Sequence, residues 1–227
     1  MAVALAEAGA DIVGLNRSEA AGLGEEIARC GRRFLDLRAD LAHGAPAELV
    51  ERAAALTGRV DILVNNAGII RRRSALEFSE TDWDDVVDLN LRAVFQLSQA
   101  AARRFMSQGG GGKIVNVASM LSFQGGLRVA SYTASKSGVL GLTRALANEW
   151  APLGINVNAI APGYMSTNNT AELRADADRN DAILGRIPAG RWGRPEDLSG
   201  AVVFLASRAA DYVHGHTLAV DGGWLAR

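Results

Sequence analysis

Asp61-Ile62-Leu63-Val64-Asn65-Asn66-Ala67-Gly68 decides how the chain folds. A short apolar run that stops at two asparagines, an alanine and a glycine reads as a buried strand entering a turn, with Gly68 supplying a positive φ. Similar runs recur on both sides of it, at 11–15 and 33–37 before and at 113–117, 156–160 and 217–220 after. Helical patterns separate them at 19–30, 47–57, 81–108, 131–150 and 196–207, and Pro46 and Pro195 stand where a first helical turn tolerates proline. Such alternation predicts βαβ units and an α/β, doubly wound parallel sheet in a single domain over 1–227. The stretch 164–192 breaks the alternation and predicts short helices in an excursion that serves as a lid.

The beginning departs from that plan. Residues 2–8 form an amphipathic helical pattern that leads straight into the 11–15 strand. In a Rossmann-like, dinucleotide-binding sheet this is the first crossover helix. The strand before it and the glycine-rich turn that cradles the pyrophosphate are not in the sequence. The expectation is an N-terminally incomplete domain, lacking the first strand and that turn, which binds its cofactor weakly.

Bulk properties narrow the function. The 227 residues are 48% hydrophobic, enough for one sizeable core, and a net charge of −1 argues against nucleic acid or an anionic membrane surface as partner. No apolar run approaches the ~20 residues that span a bilayer. The first residues lack the basic flank and apolar stretch of a signal peptide. The one cysteine, Cys30, fits a reducing compartment, so a cytoplasmic protein is expected. His214 and His216 have no third partner in the pattern, and no metal site is expected. Gly109-Gly110-Gly111-Gly112-Lys113 precedes a strand instead of following one and lacks the hydroxyl residue after lysine, so it reads as a turn, not a phosphate loop. Trp224-Leu225-Ala226 reads as packing or subunit contact.

The chemistry gathers at Ser119, Tyr132 and Lys136. Tyr132 and Lys136 are four apart in a helical pattern and share a face. Ser119 follows the 113–117 strand, at the carboxyl end where open α/β sheets bind ligands. A phenol with a pKa of about 10 is a poor base at neutral pH. An ammonium about 5 Å away favours phenolate by roughly 3 kcal/mol at an effective dielectric near 20. A hydroxyl such as that of Ser119 orients a substrate oxygen and stabilises charge on it. Lysine is rare here: of 24 basic residues only Lys113 and Lys136 are lysines.

These residues, taken with Asp61–Gly68, Asn90, Tyr132-Thr133-Ala134-Ser135-Lys136 and Pro162-Gly163, resemble the classical short-chain dehydrogenase/reductase family in order over essentially the whole chain. The resemblance implies Tyr132 as acid/base, Lys136 as ribose anchor, Ser119 as substrate orienter and Asn90 as holder of a water that links Lys136 to solvent. It implies a nicotinamide cofactor in contact with Asn66, Ala67 and Gly68, with Asp40 and Leu41 at the adenine, and with Pro162, Gly163, Met165 and Thr167 at the nicotinamide end. It also implies a homotetramer. Asn16 and Arg17, at the position that reads the ribose, give a mixed signal, so NAD is expected on family grounds and NADP is admitted.

Ile69-Ile70-Arg71-Arg72, the run 118–126 with Gln124, the run 161–170 with Tyr164, and the run 186–193 are similar to the branch acting on sugar acids of the 2-dehydro-3-deoxy-D-gluconate type, in pectin breakdown. Arg71 and Arg72 suit a carboxylate, since guanidinium forks bind it bidentately; a solvated basic loop is the alternative. Other activities stay open: a 3-oxoacyl-carrier-protein reductase, a polyol dehydrogenase, or a non-catalytic oligomerising protein.

Overall fold

The computed structural model describes residues 1–227 apart from the side chain of Leu56. Its elements run α1 (Ala2–Glu7), β1 (Ile12–Asn16), α2 (Leu23–Arg29), β2 (Phe34–Arg38), α3 (Pro46–Thr57), β3 (Ile62–Asn65), α4 (Glu80–Val87), α5 (Ala93–Gln108), β4 (Gly112–Val117), α6 (Ala130–Trp150), β5 (Ile155–Pro162), α7 (Ala171–Ala175), α8 (Ala177–Leu184), α9 (Ser199–Ala206) and β6 (Thr217–Val220).

Every strand pairing is parallel. Adjacent residues of β4 point to opposite layers, the period of two that a strand imposes. Ile114 joins Phe105, Leu146, Trp150 and Val157 on the side covered by α5 and α6. Val115 joins Leu5, Ile160, Val202 and Leu205 on the side covered by α1 and α9. With both faces covered, β5 is buried along nearly its whole length. Its two asparagines still find partners: Asn156 Nδ2 donates to the carbonyls of Asp211 and Val213 (3.0 Å each), and Asn158 Nδ2 to Val213 O (2.7 Å). These bonds fix the turn that leads into β6.

The expected sheet is present in two pieces. β1 pairs with β2, and β3–β4–β5–β6 form a separate four-stranded piece. Ile12, Val13 and Leu15 of β1 and Ile62, Leu63 and Val64 of β3 line one cleft of about 740 Å³, together with Leu5 and Leu97. Strands bond only at a spacing of about 4.8 Å, so a strand-wide cleft leaves these two edges unpaired with each other. In the dinucleotide-binding order 3-2-1-4-5-6, the break falls at the position of strand 1.

Two helical expectations change. The 81–108 pattern is interrupted by a π turn at Asp88–Arg92, which separates α4 from α5. The 19–30 pattern shortens to α2, because Asp36 Oδ2 accepts from Ala20 N (3.3 Å) and draws the preceding residues toward β2. In the excursion 164–192 the expected short helices are α7 and α8.

The glycine run before β4 is a turn of close approach. Gly111 has φ +73°, and a Cβ there would lie 2.0 Å from Gly154 O, whereas Gly110 (φ +127°) faces open space. The left-handed backbone alone costs a non-glycine residue about 1–2 kcal/mol. Gly111→Ala is therefore expected to lower the melting temperature by at least about 4 °C, and by more than Gly110→Ala. A melt equal to wild type would contradict the close contact.

Candidate active site

Ser119 stands two residues past β4 and caps the short turn after it. Its Oγ accepts from Leu121 N (3.2 Å), and its N–H donates to Ser122 Oγ (3.2 Å). Ser122 in turn donates to Lys136 O (2.7 Å), which ties the Ser119 turn to α6. Tyr132 and Lys136 then share one face of α6, with Nζ 5.7 Å from the Tyr132 ring centroid. Lys136 is 4% exposed and donates to Val117 O (2.5 Å). Burial lowers its pKa from 10.5 to about 8.

Burial pushes the Tyr132 phenol up, while a hydrogen bond with Ser119 and the charge of Arg72 pull it down. Arg72 is thus a cation that acts on the phenol, while the nearby Lys136 ammonium donates to Val117 O.

Asn90 lies in the π turn and is fully buried. Such bulges often mark functional positions. Its Oδ1 accepts from Ile69 N and its Nδ2 donates to Ile69 O, both at 2.9 Å. The side chain thus pins the turn that carries Gly68. These bonds give Asn90 a positioning role beside the water-holding one that the resemblance implies. Gly68 does not take a positive φ. It is needed for space: a Cβ there would meet Asn90 Oδ1 at 3.2 Å and Lys136 Nζ at 3.8 Å.

The two arginines separate. Arg71 Nη2 donates to Asp85 Oδ2 (2.9 Å), and its Nε lies 3.4 Å from Asp82, so its charge is already paired with α4. Arg72 is half-buried and donates to Asn169 O (3.1 Å); among the described residues no carboxylate pairs with it. The Oε1 of Gln124 accepts from Trp224 Nε1 (2.9 Å). Tyr164 packs edge-on to Trp192 and Trp224, with ring centroids at 5.5 and 4.9 Å.

Of the expected cofactor residues, Asn16, Leu41, Asn66 and Ala67 line the large cleft. Arg17 is exposed beside it. Asp40 is turned into its own loop, where its Oδ1 accepts from Ala42 N (3.0 Å). Gly163, Tyr164 and Met165 line a separate cavity of about 250 Å³. Met165 also packs in the core with Ile160 and Leu198. Thr167 opens the turn Asn168–Thr170, its N–H bonded to Thr170 Oγ1 (3.2 Å). Pro162 ends β5, and Gly163 passes so close to Asp221 that a Cβ would lie 2.6 Å from its Cα.

A family model described as enoyl-(acyl carrier protein) reductase matches residues 1–225. A 2-dehydro-3-deoxy-D-gluconate 5-dehydrogenase of Escherichia coli (strain K12) is 66% identical over 229 residues, covering all of this chain and 90% of the relative. The chain belongs to the short-chain dehydrogenase/reductase family. A second relative in this family, the 2-dehydro-3-deoxy-D-gluconate 5-dehydrogenase of Bacillus subtilis (strain 168), is 52% identical over 230 residues, covering the whole chain and 89% of the relative. Among solved structures, a gluconate 5-dehydrogenase from Burkholderia cenocepacia J2315 in complex with NADP and tartrate superposes with a TM-score of 0.94 at 41% identity, covering all of this chain and 89% of that one.

The family's nicotinamide dinucleotide fits two parts of this site. The bare face of Gly68 lets a flat ring or sugar lie within reach of Lys136, and the cleft lined by Asn16, Leu41, Asn66 and Ala67 gives the adenosine side a wall. Sequence reasoning missed Asp82 and Asp85 as partners of Arg71, Ser122 as the tie to α6, and Trp224 as the partner of Gln124. No local pattern carries these contacts.

Proposed function

We propose that this chain, as one domain over 1–227, interconverts a hydroxyl and a ketone on a sugar acid of the 2-dehydro-3-deoxy-D-gluconate type, with NAD as cofactor and NADP admitted. The observation that carries the reading is the surroundings of Tyr132: a hydroxyl from Ser119 bonded to it, the charge of Arg72 acting on it, and Lys136 against its ring.

When bound, the nicotinamide supplies the hydride acceptor or donor. In oxidation Tyr132 takes the proton of the substrate hydroxyl, and in reduction it returns that proton to the carbonyl oxygen. Ser119 donates to the same oxygen and holds it in line. Lys136 favours the phenolate and stands where a ribose hydroxyl can be reached, while Asn90 keeps the Gly68 turn in place. Asn16 is bonded to Asp36 (2.8 Å), which brings an acidic group near the ribose position, and Arg17 follows with a charge suited to a 2′-phosphate. Both cofactor forms thus find a partner.

We assign the protein to the cytoplasm as a homotetramer. Support comes from the lone cysteine and from Trp83, Phe95 and Met106, apolar groups exposed on α4 and α5. Among the described residues no helix is long and apolar enough to cross a membrane.

Arg72 is the expected carboxylate anchor. Arg72→Ala should raise KM for the sugar acid about tenfold or more, the worth of a charge-assisted hydrogen bond, and move the pH profile of oxidation upward because the phenol loses a cation. Arg71→Ala should leave both nearly unchanged. Steady-state kinetics with a sugar acid and a neutral polyol decide this. Equal effects on the two substrates would end the anchor reading.

A further inference from the structure

The excursion after β5 is gripped from the C-terminus. Ala189 N donates to Gly222 O (3.0 Å), and Arg227 Nη2 donates to Gly185 O (2.7 Å). Arg186 stacks its guanidinium 4.0 Å from the centroid of the Trp224 ring. Trp224, 5% exposed, shares an apolar cluster with Met120, Ile183 and Ile187, so it touches both the residue after Ser119 and the end of α8. Gly222 and Gly223 take positive φ values, and side chains there would press on Ile187 and Pro188.

The bond to Gln124 has a chemical consequence. An indole N–H only donates, so its partner must be the amide oxygen. That choice uses the acceptor of Gln124 and leaves its NH₂ group, which can only donate. Gln124 sits in the turn begun by Ser119, its backbone N–H bonded to Met120 O (3.2 Å).

We propose that Trp224 is a specificity-determining positioning residue: it fixes the Gln124 amide so that the substrate side is offered a hydrogen-bond donor, and it straps residues 183–189 over that side. A donor there suits the oxygens of a carboxylate, so the inference rests on the sugar-acid reading above and refines its specificity.

Trp224→Phe keeps an aromatic ring against Tyr164 and Arg186 but removes the indole donor, freeing the amide to turn. It is expected to raise KM for the sugar acid about tenfold, as the loss of one oriented hydrogen bond would. The change in kcat and in KM for a neutral polyol should stay within about twofold. Gln124→Glu keeps an acceptor for Trp224 but presents a carboxylate, and should raise KM for the acid further still. Trp224→Ala should in addition speed amide hydrogen exchange across 183–189, a readout that needs no turnover. Equal KM changes for acid and polyol in Trp224→Phe, or unchanged exchange in Trp224→Ala, overturn the proposal. A wild-type protein that turns over no sugar acid sinks the underlying reading, while exchange still tests the strap by itself.

Discussion

Tyr132→Phe is expected to lower kcat by about 10²–10⁴-fold, the usual worth of a positioned acid/base group. Cofactor affinity and melting temperature should remain near wild type. The variant removes one oxygen and leaves the ring, which packs at 5.7 Å from Lys136 Nζ. The phenol is half-buried, and burial raises its pKa while Ser119 and Arg72 lower it. In wild type, oxidation should therefore rise with pH as the phenolate forms, whereas reduction, which uses the protonated phenol, should fall. Phe has no proton to give or take, so its residual rate should be flat across that range. Turnover in both directions from pH 6 to 10 provides the check. A Phe variant that kept most of its rate, or kept the pH dependence, would mean that another group moves the proton.

How much of this could be read from the sequence depends on the range of the interaction. The strands of the core lie within about two residues of their expected bounds because continuous apolar runs between helices leave few alternatives in a covered parallel sheet. Tyr132 and Lys136 were legible because four residues make one helical turn, and Ser119 because it follows a strand. The turn holding Gly68 was legible as a turn, but not its reason. The glycine makes room beside Asn90 and Lys136, and only the tertiary structure brings those two together.

The fate of the arginines shows the limit most clearly. Arg71 and Arg72 are neighbours of one chemical type, and nothing local separates them. The path of the loop then sends Arg71 to Asp82 and Asp85 on α4 and Arg72 to Asn169. Likewise the Gln124–Trp224 bond joins residues 100 positions apart. The π turn at Asn90 depends on which carbonyl each amide chooses, a choice the apolar periodicity of 81–108 does not encode.

Lys136→Met is expected to yield a protein that is nearly inactive and yet more stable at neutral pH. The ammonium is 4% exposed, and burial has moved its pKa from 10.5 to about 8. That displacement corresponds to about 3 kcal/mol of preference for the unfolded chain while the group is protonated. The folded pKa is the lower one, so this cost is present in full below about pH 8 and fades as pH rises toward 10.5. Wild-type stability should accordingly increase through that window, because the unfolded chain there holds the extra proton.

Methionine is of similar length, carries no charge and fills irregular apolar space. Its one debit is the Val117 carbonyl, which loses the Lys136 hydrogen bond and sets about 1 kcal/mol against the gain. The net is about 2 kcal/mol, or a rise in melting temperature of about 4–8 °C for a chain of this size. At pH 10 the advantage should shrink toward zero, since wild type has by then shed most of the buried charge. Denaturation at pH 7 and pH 10 separates the two contributions. A variant less stable than wild type at pH 7 would show that the bond to Val117 outweighs the burial of charge, and that Lys136 serves the fold as well as the chemistry.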